Sequence, residues 1–125
     1  MSHLTQKTIK TPVSFSGIAL HNGLNVNVTL KSAKPNEGIV FKRVDLKNNN
    51  LIYPNFLNVT NTSLNTTIEN EHGVKVSTIE HLMGALFGLG IDNAVIEIDN
   101  EEVPILDGSA KNFIEKIISS GFEIS

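Results

Sequence analysis

Glu80 and His81 are adjacent residues whose types could carry chemistry together. They lie in Ser77-Thr78-Ile79-Glu80-His81-Leu82-Met83-Gly84-Ala85-Leu86-Phe87-Gly88. Ile79, Leu82, Met83, Leu86 and Leu89 recur at helical spacing, so the pair falls in the first turn of a helix. A first-turn imidazole sits at the positive end of the helix dipole, where the neutral ring, the form that binds metal, is favoured. A carboxylate beside a ligand nitrogen suits metal-assisted hydrolysis, in which a cation acidifies water and the carboxylate takes the proton. The other helix face, His81, Gly84, Ala85 and Gly88, is small, so a ligand, a metal or another domain could approach it closely. A plainer reading stands beside this one. Ser77-Thr78-Ile79-Glu80 fits a capping box, in which Glu80 satisfies backbone N–H groups and His81 is simply a partly exposed helix residue. The His-Glu-x-x-His zinc pattern is absent, because Ser77 and Ala85 stand four residues either side of His81.

His21, at the tip Leu20-His21-Asn22-Gly23, is a second candidate, since loops on rigid strands often carry binding residues; a solvated turn histidine is the alternative. Asp107 either caps a helix or orients a histidine from behind a ligand shell. His72 reads as a turn residue and His3 as part of a terminus. With no cysteine, thiol catalysis, disulfides and cysteine zinc sites are excluded.

The elements that must position these groups follow from pattern. The chain has 125 residues and a formal charge of −3, which suits one globular domain and opposes a nucleic-acid binder. No apolar run reaches the roughly 18 residues of a membrane span, and the start lacks a signal peptide, so a cytoplasmic protein is expected. Leu24, Val26, Val28 and Leu30 alternate with polar residues, and Asn22-Gly23 joins them to the Pro12–Leu20 run as a hairpin. A turn at 34–38 leads to a strand over Ile39–Val44, and 47–50 form a loop. Tyr53–Val59 is ambiguous. Ser63–Glu69 and Val74–Val76 form a second hairpin about Glu71-His72-Gly73. Gly88 and Gly90 end the first helix. Ala94–Ile98 is a buried strand. Ser109 caps a second helix with the stripe Phe113, Ile114, Ile117 and Ile118, ended by Gly121. The pattern predicts an α+β fold, a mixed β-sheet with two helices packed on one face.

Four segments together resemble one known family. Ser77 to Asn93 and Val103-Pro104-Ile105-Leu106-Asp107-Gly108-Ser109-Ala110 closely resemble signatures of the zinc-dependent UDP-3-O-acyl-N-acetylglucosamine deacetylases, the LpxC family. Gly17 to Gly23 and Gly38 to Asp45 add two matches in the right order. The resemblance implies a hydrolase of lipid A biosynthesis, and so of lipopolysaccharide assembly in Gram-negative bacteria, that releases acetate from UDP-3-O-acyl-N-acetylglucosamine. It implies Glu80 as general base on zinc-bound water and His81 as one Zn2+ ligand, and Asp107 stands in one of the matching segments. It places Ser63, Leu64, Asn65 and Thr66 beside substrate, with His21 a further candidate substrate contact. Position 65 is often Cys in the family, so Asn65 departs from the pattern.

Family members have two similar domains with the site between them. The remaining zinc ligands form a His-x-x-x-Asp pair in the second, and no histidine here has Asp four residues on. Residues 1–125 are therefore expected to be a single N-terminal domain, inactive alone, whose partners are its own C-terminal domain and the substrate. The small helix face could also pair with another copy. The alternative is a non-catalytic binding or scaffold domain that keeps the fold, which would have no need of Glu80 beside His81.

Overall fold

The computed structural model describes residues 5–19, 23–54, 59–61, 66–104 and 111–124. Alternation in the sequence becomes a two-faced sheet. Strand β2 (Val13–Ile18) pairs antiparallel with β3 (Asn25–Lys31), which pairs antiparallel with β9 (Ala94–Ile98). β9 runs parallel to β4 (Ile39–Arg43), which pairs antiparallel with β5 (Leu51–Ile52), giving the order β2-β3-β9-β4-β5. The register lines up Val13, Leu30, Ile96, Phe41 and Ile52 in one row across all five strands, each buried. Side chains two apart share a face, so this row and its neighbour Phe15, Val28 and Ile98 form an apolar surface. The opposite face is largely polar but carries the pair Val40 and Val95, with Ser16 Oγ donating to Asn27 Oδ1 at 2.8 Å and Lys31 paired with Glu97 at 3.1 Å. One buried face calls for one covering layer.

Helices α1 (Glu80–Gly88) and α2 (Lys111–Ser120) supply that layer, with the mixed sheet and two helices giving the expected α+β class. Leu82, Ala85 and Leu86 of α1 and Phe113 and Ile117 of α2 are buried in the same core as the sheet rows. Phe15 and Phe113 meet edge to face at 4.6 Å between centroids, joining β2 to α2. Ile118, read as part of the α2 stripe, is 56% exposed, so that stripe narrows to Phe113, Ile114 and Ile117. Gly121 (φ +89) ends α2, its N–H donating to Ile117 O at 3.0 Å, while the expected cap Ser109 lies outside the described residues.

The second hairpin forms from β7 (Thr66–Glu69) and β8 (Lys75–Ser77), with β6 (Val59–Asn61) completing a three-stranded sheet. Its turn is built by Asn70, whose Oδ1 accepts the N–H groups of His72 and Val74 at 2.9 and 3.1 Å. Strands β1 (Lys7–Ile9) and β10 (Phe122–Ile124), which pair antiparallel, have no signature in the sequence, and neither does β5. Two or three residues are too few for a period of two to show. β1 is fastened instead by Asp92 and Asn93: Lys7 O accepts both their N–H groups, and Asp92 Oδ2 accepts Lys7 N–H at 2.8 Å. Asn93 Oδ1 also accepts Gly38 N–H at 2.8 Å, so the end of the long signature clamps β1 to the start of β4.

Candidate active site

The entry into α1 differs from the capping box expected from the sequence. Ser77 is the last residue of β8, and its N–H donates to Glu101 O at 2.8 Å. Its carbonyl accepts Val103 N–H at 3.0 Å, so residues 101–103 zip alongside it. The N-cap is Ile79, whose side chain has no acceptor to offer, and Ser77 lies two residues earlier in the sheet. Thr78 makes the turn between strand and helix with φ +60, and its Oγ1 donates to Glu102 Oε2 at 3.0 Å.

Freed from capping, the Glu80 carboxylate reaches sideways. Its Oε1 accepts the backbone N–H of Thr66 at 3.2 Å, while Ile79 N–H donates to Thr66 O at 3.4 Å. The start of β7 is thereby docked on the start of α1. Thr66 is the one member of the Ser63–Thr66 segment within the described residues, and the structure brings it directly to Glu80. Both Glu80 and the adjacent His81 are half-buried, reachable at a helix start. A carboxylate here is also favoured by the helix dipole. The small helix face is modified in one respect. Ala85 is fully buried in the core, and the outward strip consists of Gly84, Gly88 and Phe87, the last 69% exposed.

At the end of β4, Arg43 is 8% exposed. Its Nε and Nη2 donate to the two Asp45 oxygens at 2.8 and 2.6 Å, and Nη1 donates to Lys75 O at 3.0 Å. That fork ties the end of β4 to β8, three residues before the turn at Thr78. The Arg43 hydrogen bonds, with its charge, hold the Asp45 carboxyl below its ordinary value of 3.8, against the opposing effect of burial.

The chain matches the family model for UDP-3-O-acyl N-acetylglycosamine deacetylase, LpxC, over residues 6–125. The chain belongs to the LpxC family. Relatives named UDP-3-O-acyl-N-acetylglucosamine deacetylase include those of Haemophilus influenzae (strain PittEE), 46% identical over 121 residues, and Colwellia psychrerythraea, 50% identical over 120. In both cases the match covers 96% of this chain and 39% of the relative. A Pseudoalteromonas atlantica relative of the same name is 49% identical, with 96% and 40% covered. The chain thus spans about two-fifths of the length of these curated LpxC relatives.

His21, Ser63, Leu64, Asn65 and Asp107 lie outside the described residues. His72 is exposed in its turn, 3.5 Å from Glu71. Among the described residues no group of three or more His, Cys, Asp and Glu gathers where a metal could be held. Likewise none of the described helices is long and apolar enough to cross a membrane. Of the pair, His81 carries an imidazole nitrogen, a donor type that zinc accepts. Sequence reasoning missed Glu102. The stretch from Glu101 to Gly108 reads only as irregular, and the fold shows Glu102 to be 2% exposed.

Proposed function

We propose that this chain is the N-terminal, base-carrying domain of a cytoplasmic zinc-dependent deacetylase. Its substrate would be UDP-3-O-acyl-N-acetylglucosamine, its product acetate, and its place the lipid A synthesis of Gram-negative bacteria. The observation that carries the reading is the junction of Glu80, His81 and Thr66 at the start of α1, in a chain of LpxC membership. Zinc, when bound, supplies a Lewis acid that acidifies water and polarises the amide carbonyl. His81 offers the imidazole donor to it. Glu80 accepts the proton from the attacking water, its carboxylate oriented by the Thr66 N–H on one oxygen. The Ser63–Thr66 segment and His21 contact substrate, and Asp107 orients a ligand from behind.

A catalytic zinc takes three protein ligands and one open position. The reading therefore places the remaining ligands on a second domain, docked against the Gly84–Gly88 strip of α1.

Complementation tests this. The chain is mixed with the separately expressed remainder of the Colwellia psychrerythraea deacetylase and zinc, and acetate release is followed. The mixture is expected to hydrolyse substrate and the chain alone to show negligible turnover. Glu80→Gln is expected to lower kcat about 100-fold or more, as for a lost general base, and His81→Ala to weaken zinc retention by more than the roughly 10- to 100-fold that loss of a residue behind a ligand costs. Turnover by the chain alone, or full activity with Glu80→Gln, overturns the proposal.

A further inference from the structure

We propose that Glu102 is a positioning residue for this site, acting through Thr78 to set the direction in which Glu80 and His81 leave β8. The inference rests on the reading of Glu80 and His81 as the reacting pair. Thr78 has φ +60, a left-handed backbone that a β-branched residue rarely adopts. Glycine adopts it without penalty, so a threonine here implies a use for its side chain. The use is visible: Thr78 Oγ1 donates to Glu102 Oε2 at 3.0 Å, with the two residues 5% and 2% exposed. Burying a carboxylate is costly unless it is hydrogen-bonded, and an apolar residue would fill the same space more cheaply. Glu102 is itself fixed by the backbone bonds on either side of it, Ser77 N–H to Glu101 O at 2.8 Å and Val103 N–H to Ser77 O at 3.0 Å. Strained backbone of this kind persists only where its surroundings over-determine it. Immediately after Thr78, Ile79 N–H and Glu80 Oε1 grip the two sides of Thr66. The hydroxyl–carboxylate bond thus holds Thr78, whose rotation would swing the first turn of α1 away from β7.

Amide hydrogen exchange of the 125-residue chain, without zinc or substrate, reads this directly. The Thr66 amide reports the Glu80 contact, Met83 the first helical bond to Ile79 O, and Leu89 the far end of α1. Thr78→Gly deletes the hydroxyl and relieves the backbone strain, so the variant retains the fold. It is expected to speed exchange at Thr66 and Met83 about tenfold, with Leu89 and the strands β3 and β9 within about twofold. Thr78→Ser and Glu102→Gln, which keep a donor and an acceptor respectively, are expected to restore protection. Wild-type protection at Thr66 and Met83 in Thr78→Gly, or a uniform loss across the whole molecule, overturns the proposal. Because no activity is read, failure of the zinc reading would show in complementation alone, and failure of this one in exchange alone.

Discussion

Arg43 shows how a single buried charge can tie two sheets together. It ends a sheet row that is otherwise apolar, Phe15, Val28 and Ile98, and its guanidinium is spent on Asp45 and Lys75 O. Removing one partner of such a pair strands the other's polar groups. Asp45→Asn is expected to destabilise the fold at pH 7 by about 1–2 kcal/mol, a figure reduced from that of a fully buried pair because the Asp45 side chain is 32% exposed. The pH dependence has a definite sign. A folded carboxyl pKa below the unfolded 3.8 contributes stability that is complete above that value and is lost as pH falls through the folded pKa. Urea unfolding should therefore show the wild-type advantage over Asp45→Asn at pH 7 and its shrinkage below pH 3.8. An advantage constant down to the acid limit would contradict the assignment.

At the scale of elements, α1 is held differently at its two ends. Its start has no side-chain cap and depends on contacts with β7 and with residues 101–103. Its end is a self-contained Schellman motif: Ile91 N–H donates to Leu86 O at 2.9 Å and Gly90 N–H to Phe87 O at 3.1 Å, with Gly90 at φ +73. An added Cβ at Gly90 would meet only Lys7 Nζ, at 3.9 Å, so its penalty is backbone strain alone. Gly90→Ala is expected to cost roughly 1–2 kcal/mol, measured as a fall in Tm of about 4–10 °C. Since that end is remote from Glu80, complementation activity below the new Tm should stay within about twofold; a large loss of kcat would mean that the two ends of the helix are coupled.

For the whole molecule, the decisive fact is that the match covers 39% of the Colwellia relative. The helix layer covers one sheet face, yet α1 keeps Gly84, Gly88 and Phe87 turned outward. An exposed apolar strip of this kind invites association. The isolated chain is expected to self-associate through it as concentration rises, by light scattering. Gly84→Lys, which has open space for its side chain, should keep the chain monomeric. A monomer at every concentration, indifferent to that substitution, would remove the argument for the strip as the docking face.

Periodicity alone was enough for the main elements, because apolar alternation and helical spacing leave one burial pattern that covers both. Val26, Val28, Leu30 and Ile96 had to face inward, as did Leu82 and Leu86. The adjacency of Glu80 and His81, and hence the proposed chemistry, is also a property of the chain itself. What the sequence could not reveal were the partners of these groups. Glu80 reads also as a capping residue until Ser77 is seen committed to Glu101, and Glu102 has no role in an irregular stretch until the fold buries it against Thr78. β1, β5 and β10 are too short to carry a period and exist because longer strands or neighbours offer them hydrogen bonds. Local spacing determined which residues could act. Long-range pairing, which no window along the chain can sense, decided what each of them touches.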